Sequence, residues 1–307
     1  MSTAPSSLIT PDERQTAAQL QLLAKNVVEG LAAGKHRSPH KGASVEFKEH
    51  RQYTKGDEIR SIDWKQYGKT DRLFIRQYED ETSLRAMILL DQSGSMGYCG
   101  QRSNGVSKHL FAVQLAACIA TLIVAQQDGV GLATFDKDID QLLPPRSQPS
   151  HLKTLFQILA DSKVGRETQL SKALQATTKG LRRRGILFLL SDCFDDPDAL
   201  IKALRYYRHT GSEVIVFQIW DDDELDFPFT KRTEFRDLEK LSRLEKVDPA
   251  ALRTAYLKKL QEFRDAFASS CIGERIDLIE CSTSQNHAEI LRQYIASRTT
   301  RSGRLGR

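Results

Sequence analysis

The sequence predicts an α/β fold: a doubly wound, mostly parallel sheet with helices on both faces. Three observations predict it. Short continuous apolar runs at Met87-Ile88-Leu89-Leu90, 186–190 and 214–217 suit strands buried on both faces and are far too short to cross a bilayer. From residue 84 onward these runs alternate with segments of helical apolar spacing, the pattern of a parallel sheet joined by crossovers. A length of 307 residues with 40% hydrophobic and 28% charged residues leaves enough apolar material for one large domain or two modest ones.

The first helix is signalled by Thr10 as cap, Pro11 at the first helical position and Glu13 closing a capping box. Leu20, Leu23, Val27, Val28 and Leu31 recur at helical spacing, and Gly34 can end the helix. The basic stretch 35–42 reads as an exposed loop. Its His36 and His40 lie four apart with no further ligand nearby, which excludes a zinc site there. In 45–83, aromatic and aliphatic residues are strewn among charges, with turns at Gly56-Asp57 and Gly68. Short extended pieces and one strand near 73–78 are expected, packed against the sheet domain.

The regular part then reads as a strand at 84–91 and a long helix at 106–127, with Phe111, Leu115, Cys118, Ile119 and Leu122 on one face. Next come a strand at 129–135, an edge strand at 139–143, and helices at 151–160 and 169–183. A strand at 185–191, a helix at 198–208 and a strand at 213–220 come after these. Residues 221–247 read as charged and irregular. A helix at 249–267, a strand at 275–281 and a helix at 287–296 complete the fold, before a basic tail expected to be disordered. The organisation expected is an N-terminal helix and charged, aromatic segment over 1–83, the sheet domain over 84–298 and the tail over 299–307.

Composition excludes several function classes. A net charge of +5, from 45 basic and 40 acidic residues, is too slight for the dense basic face that nucleic acid selects. Residues 1–12 carry no apolar core, so no signal peptide is expected, and no run is long enough to span a membrane. The five cysteines are scattered, odd in number and without a CxxC pair, which fits reduced thiols in the cytoplasm. No GxxxxGK[ST] loop occurs, so the chain is not itself an ATPase of that class.

Open parallel sheets place ligand sites at the carboxyl ends of their strands. The first core strand ends in Asp91-Gln92-Ser93-Gly94-Ser95-Met96-Gly97, a loop able to gather a carboxylate and two hydroxyls around one point. Such oxygens are hard ligands of the kind Mg2+ accepts. Thr168 opens a helix after the 165–167 turn, and Asp192 ends the strand at 185–191, so both can converge on the same point. Beside them, Cys193 reads as a small packing residue. The acidic run Asp221-Asp222-Asp223-Glu224 reads either as part of the site's rim or as a solvated loop, and Arg182-Arg183-Arg184 as a complement to a helix dipole.

Asp91, Ser93, Ser95, Thr168 and Asp192 together resemble the five-part metal-ion-dependent adhesion site of von Willebrand factor A domains. The resemblance implies that Asp91, Ser93 and Ser95 touch the ion, that Thr168 joins in one state and that Asp192 acts mostly through water. Mg2+ is the expected ion, with Mn2+ and Ca2+ as alternatives. An ion held mostly by neutral oxygens keeps positive charge with which to draw in an Asp or Glu of a protein partner.

A second resemblance is narrower. Val45-Glu46-Phe47, Arg51-Gln52-Tyr53, Gly56-Asp57-Glu58-Ile59-Arg60-Ser61-Ile62-Asp63-Trp64 and Arg76-Gln77-Tyr78-Glu79-Asp80-Glu81, preceding the Asp-x-Ser-x-Ser loop, look like domain-of-unknown-function family fifty-eight. That resemblance implies a von Willebrand factor A-like protein acting with a MoxR-type AAA+ ATPase as an adaptor or chaperone-like factor. The site residues are read as those of a non-enzymatic binding module, with a metal-dependent phosphate-ester hydrolase as the alternative. Within the signature, Asp57, Arg60 and Asp63 read as a charged network with Trp64 packed beneath, or as a partner-binding patch.

Overall fold

The computed structural model describes residues 16–32, 42–52, 64–70, 72–82, 84–165, 174, 185–230, 233–236, 238, 244–247 and 249–302. The chain divides into two compact units, one of Met1–Ser38 with Arg85–Arg307 and one of Pro39–Leu84.

The larger unit is built on six strands: β3 (Arg85–Asp91), β4 (Gly129–Phe135), β5 (Ile139–Arg146), β6 (Ile186–Ser191), β7 (Glu213–Trp220) and β10 (Asp277–Ser282). Their order across the sheet is β10-β7-β6-β3-β4-β5. All neighbours are parallel except β4 and β5, which are antiparallel. Numbering only these six as they occur, the order from the β5 edge is 3-2-1-4-5-6, the doubly wound arrangement the sequence predicts. The order reverses between β3 and β6, and there the crossover helices leave in opposite directions and a cleft opens at the strands' carboxyl ends. Leu90 pairs with Leu190, so Asp91 and Ser191 finish neighbouring strands at the same level.

Period-two alternation assigns the two faces. Met87, Leu89, Leu187, Leu189, Val214 and Val216 pack into one cluster with Leu200, Leu204 and Tyr207 of α5 (Pro197–His209) and Phe267 and Cys271 of α7 (Pro249–Gly273). On the other face Phe188 and Phe217 meet Tyr294 of α8 (His287–Ser302). That side also carries α3 (Lys108–Ala125), packed against α4 (Pro149–Asp161) and α1 (Ala17–Ala32).

Helix α3 by length and composition could cross a membrane, but 72% of it is buried inside the protein. The sequence predicts burial of one face only. The helix is enclosed nearly all round because α1 and α4 cover its outer side, which is what a helix apolar on every face requires. Since α1 lies against α3, α4 and α8, it belongs with the sheet rather than with the segment through residue 83.

Three further expectations change. Residues 221–247 are not irregular: they contain α6 (Asp222–Asp226) and a hairpin of β8 (Thr233–Arg236) with β9 (Leu244–Val247). The last helix runs to Ser302, into the stretch expected to be a disordered tail. Trp64 is not packed beneath a charged network but is 60% exposed. Asp57, Arg60 and Asp63 lie outside the described residues, as does most of the helix expected at 169–183.

The smaller unit, Pro39–Leu84, holds β1 (Gly42–Gln52) and β2 (Phe74–Thr82), paired antiparallel with an irregularity between Phe47 and Glu49. Between them α2 (Trp64–Thr70) presents Trp64 and Tyr67 edge to face, ring centres 6.2 Å apart.

Candidate metal centre at the sheet switch point

Strand β3 delivers Asp91 to the reversal point, and the chain then winds into a short 3-10 turn at Gly94–Gly97, anchored by buried Met96. The turn is held from both sides. Gln92 donates its N–H to the Phe135 carbonyl at 2.8 Å, and Gly165 N–H donates to the Gln92 carbonyl at 2.5 Å. Gly165 must be glycine for this approach, because a Cβ there would lie 2.5 Å from Asp136 Oδ2. Within the turn, Asp91 Oδ1 accepts the Ser93 N–H at 2.8 Å, and the Ser93 and Ser95 hydroxyl oxygens are 3.0 Å apart. Asp91 and Ser93 are buried, whereas Ser95 is partly exposed, so the group opens toward solvent at Ser95.

Among the described residues no cation pairs with Asp91. Its Oδ2 accepts a 2.5 Å hydrogen bond from the Ser191 hydroxyl, and this donor and the Ser93 N–H are both neutral. Burial first, and then the charge of Asp192, push its carboxyl up to about 7, against the opposing hydrogen bonds from Ser191 and Ser93. A carboxylate oxygen that accepts one donor keeps a lone pair for another.

This donor set fits a divalent cation. Two oxygens at adjacent corners of an octahedron with bonds of about 2.1 Å stand about 3 Å apart, the spacing of the Ser93 and Ser95 hydroxyls. Among the described residues no three His, Cys, Asp or Glu side chains cluster as metal ligands. Thr168 lies outside the described residues, three positions after Gly165 in the sequence.

Asp192 comes directly after β6 and is brought to the same end of the sheet, but it is differently satisfied. Its Oδ1 accepts the Phe194 N–H at 3.2 Å, and its Oδ2 accepts Lys108 Nζ at 2.9 Å. Cys193, the packing residue expected from the sequence, is buried and turns the chain with φ of 60°. That is a left-handed conformation unusual for a residue with a Cβ.

Lys108 is the site residue that motif reasoning misses. It opens α3, its side chain is 0% exposed, and it also donates to Glu224 Oε1 at 2.7 Å. It lies 5.1 Å from the centre of the Phe194 ring. A cation at a helix N-terminus opposes the helix dipole, and burial favours losing the proton; Asp192 and Glu224 outweigh both and hold Lys108 charged. A sequence signal exists: Lys108 is the one Lys, Arg, Asp or Glu in a largely apolar eighteen-residue helix.

The acidic run is not a solvated loop. Asp221 and Asp223 are buried, and Asp221 with Glu224 forms a reciprocal capping box on α6. Asp221 Oδ2 accepts the Gly100 N–H at 2.9 Å, and Asp223 Oδ2 accepts the Gln101 N–H at 2.7 Å. Arg102 reaches across to Asp223 at 2.7 Å and Asp226 at 2.8 Å. The loop before α3 is thus clasped by the turn after β7.

The family model "Protein of unknown function DUF58" matches residues 49–266 of the chain. The uncharacterized proteins Mb1516 of Mycobacterium bovis and Rv1480 of Mycobacterium tuberculosis are each 25% identical over 289 residues, covering 91% of this chain and 87% of theirs. Among solved structures, the conserved hypothetical protein BatB from Bacteroides thetaiotaomicron is 16% identical with a TM-score of 0.44, over 71% of this chain and 99% of that one. The SpRpn10 VWA domain is 15% identical with a TM-score of 0.39, over 69% of this chain and 95% of that one.

Proposed function

The chain belongs to the DUF58 family, and from that premise we propose that it is a non-enzymatic protein-interaction module that binds an Asp or Glu of a partner through a divalent ion. The observation that carries the reading is the 3.0 Å pair of Ser93 and Ser95 hydroxyls beside the charge-poor carboxylate of Asp91. Asp91, Ser93 and Ser95 would hold the ion, with Thr168 and Asp192 completing the set. Mg2+ is favoured over Mn2+ and Ca2+ because the set is rich in hydroxyls and poor in carboxylates. When bound, the ion supplies an electrophilic position for an incoming carboxylate.

The residues do the remaining work. Gln92, pinned between Phe135 and Gly165, keeps the hydroxyls oriented before any ion arrives. Ser191 holds the Asp91 carboxylate in place. Partly exposed Ser95 marks the direction of approach. A hydrolase would need a base beside the ion that is not itself a ligand, and Asp91, pushed up to about 7, is spent on the ion in this reading. His109 is a poor base: it is buried, bonded to the Ser162 hydroxyl at 3.1 Å and pushed down to about 4 by its burial.

The partner proposed is a MoxR-type AAA+ ATPase, or a client protein acting with it, and the setting proposed is the cytoplasm. The test is capture of the MoxR-type ATPase by the full chain in Mg2+, in EDTA and with Asp91→Ala. Loss of capture in both perturbed cases, with circular dichroism unchanged, is the expected result. Capture that survives both eliminates the ion as the contact.

A further inference from the structure

We propose that Lys108 is the charge-setting residue of this metal centre: by holding the Asp192 carboxylate in an internal ion pair, it leaves the bound ion with charge to spend on a partner's carboxylate. The inference rests on the metal reading above and goes beyond it, because Lys108 lies outside the Asp91, Ser93, Ser95, Thr168 and Asp192 set.

The geometry separates two carboxylates that arrive at one end of the sheet. Asp91 has hydroxyl and amide donors. Asp192 has an ammonium 2.9 Å from Oδ2, on a side chain with no exposure to water. A buried ammonium keeps its position only with compensating anions, and it has two, Asp192 and Glu224. Glu224 is in turn fixed, since its Oε2 accepts the Asp221 N–H at 2.9 Å in the α6 capping box. The Tyr256 hydroxyl of α7 donates to the carbonyl of the same residue at 3.0 Å. The ammonium is therefore held on Asp192 by a rigid frame from α3, α6 and α7.

The consequence is electrostatic. With Lys108 in place, Asp192 offers an ion a carboxylate already countered by an ammonium that it shares with Glu224, whereas Asp91 pairs with no cation among the described residues. Without that ammonium, Asp192 would add a full negative charge beside Asp91 in a site of low dielectric. The ion would bind more tightly and attract a partner's acid less. A purely structural lysine would alter stability and leave ion affinity alone.

The test titrates Mg2+ alone into the full chain by calorimetry, and tracks the thermal midpoint with and without Mg2+. Lys108→Met is expected to tighten Mg2+ binding about tenfold and to enlarge the Mg2+-induced rise in midpoint. Glu224→Gln, which removes one of the two carboxylates sharing the ammonium and gives Asp192 its whole charge, is expected to weaken Mg2+ binding by a few fold. It also keeps the inference testable where Lys108→Met fails to fold. Wild-type protein that binds Mg2+ together with foldable variants whose affinity does not move overturns this inference alone. Wild-type protein that binds no divalent ion overturns the metal reading and this inference with it.

Discussion

Two neighbouring regions at the end of the sheet hold buried carboxylates in opposite ways. Around Asp221, Asp223 and Glu224 the protein supplies its own cations and N–H groups: Lys108, Arg102, Gly100 and Gln101. Around Asp91 the donors are the Ser191 hydroxyl and the Ser93 amide. Burying a carboxylate without a compensating cation is costly, so the first region is complete in itself and the second is the one that the proposed ion would complete.

The largest expected effect breaks the complete region. Lys108→Met leaves Asp192 and Glu224 buried without their shared cation, and should cost about 3–5 kcal/mol in urea denaturation without divalent ions. A midpoint within about 0.5 kcal/mol of wild type would mean that the two carboxylates find other partners. Next, Gly100→Ala would place a Cβ 2.1 Å from Asp221 Oδ1 and 2.7 Å from Asp223 Oδ2. Both carboxylates are held by other bonds, so the loop must move, at about 2–3 kcal/mol by the same assay. If this variant keeps wild-type stability, the clasp between the loop and α6 is looser than its hydrogen bonds imply.

On the other side, Ser191→Ala removes the hydroxyl that donates to Asp91 Oδ2. A loss of about 1–2 kcal/mol is expected without ions, with a larger share recovered on adding Mg2+ than in wild type. Equal Mg2+ stabilisation of the two proteins would show that Asp91 does not depend on the ion for compensation.

The fold is legible in the sequence because it rests on local patterns. The apolar run ending at Trp220 marks β7 with the boundaries observed, Glu213–Trp220. The Asp91, Ser93 and Ser95 part of the site is legible for the same reason, since three candidate ligands lie on one turn. The illegible part depends on residues far apart in the chain. Lys108 meets Glu224 across 116 positions, and Arg102 meets Asp223 across 121, so neither pairing leaves a periodic trace. The acidic run resembles a solvated loop in composition, yet its first and last residues have the spacing of a capping box, which is a local signal. The place of α1 escapes a sequence reading because an amphipathic helix does not reveal which surface it covers.

The last effect, read against pH, sharpens the comparison within α3 itself. Three basic groups sit at its first turns: Lys108 and His109, both buried, and half-buried His287 of α8, whose ring stacks on Phe111 with centres 4.4 Å apart. Lys108 has carboxylate oxygens at 2.9 and 2.7 Å and stays charged. His287 has the Phe111 carbonyl at 3.4 Å, and burial pushes it down to about 4 from an ordinary 6.5. A histidine depressed in the folded state binds its proton first in the unfolded chain. Its contribution is therefore intact above about pH 6.5 and is lost as pH falls toward 4, at up to about 1.4 kcal/mol per pH unit. His287→Phe, which keeps a ring against Phe111, should flatten the fall in urea midpoint between pH 6.5 and 4 relative to wild type. An unchanged slope would mean that His287 takes up its proton as readily in the folded protein as in the unfolded chain. Burial alone would then not decide the charge of a basic group on this helix, and the weight given to the carboxylates around Lys108 would have to be reduced.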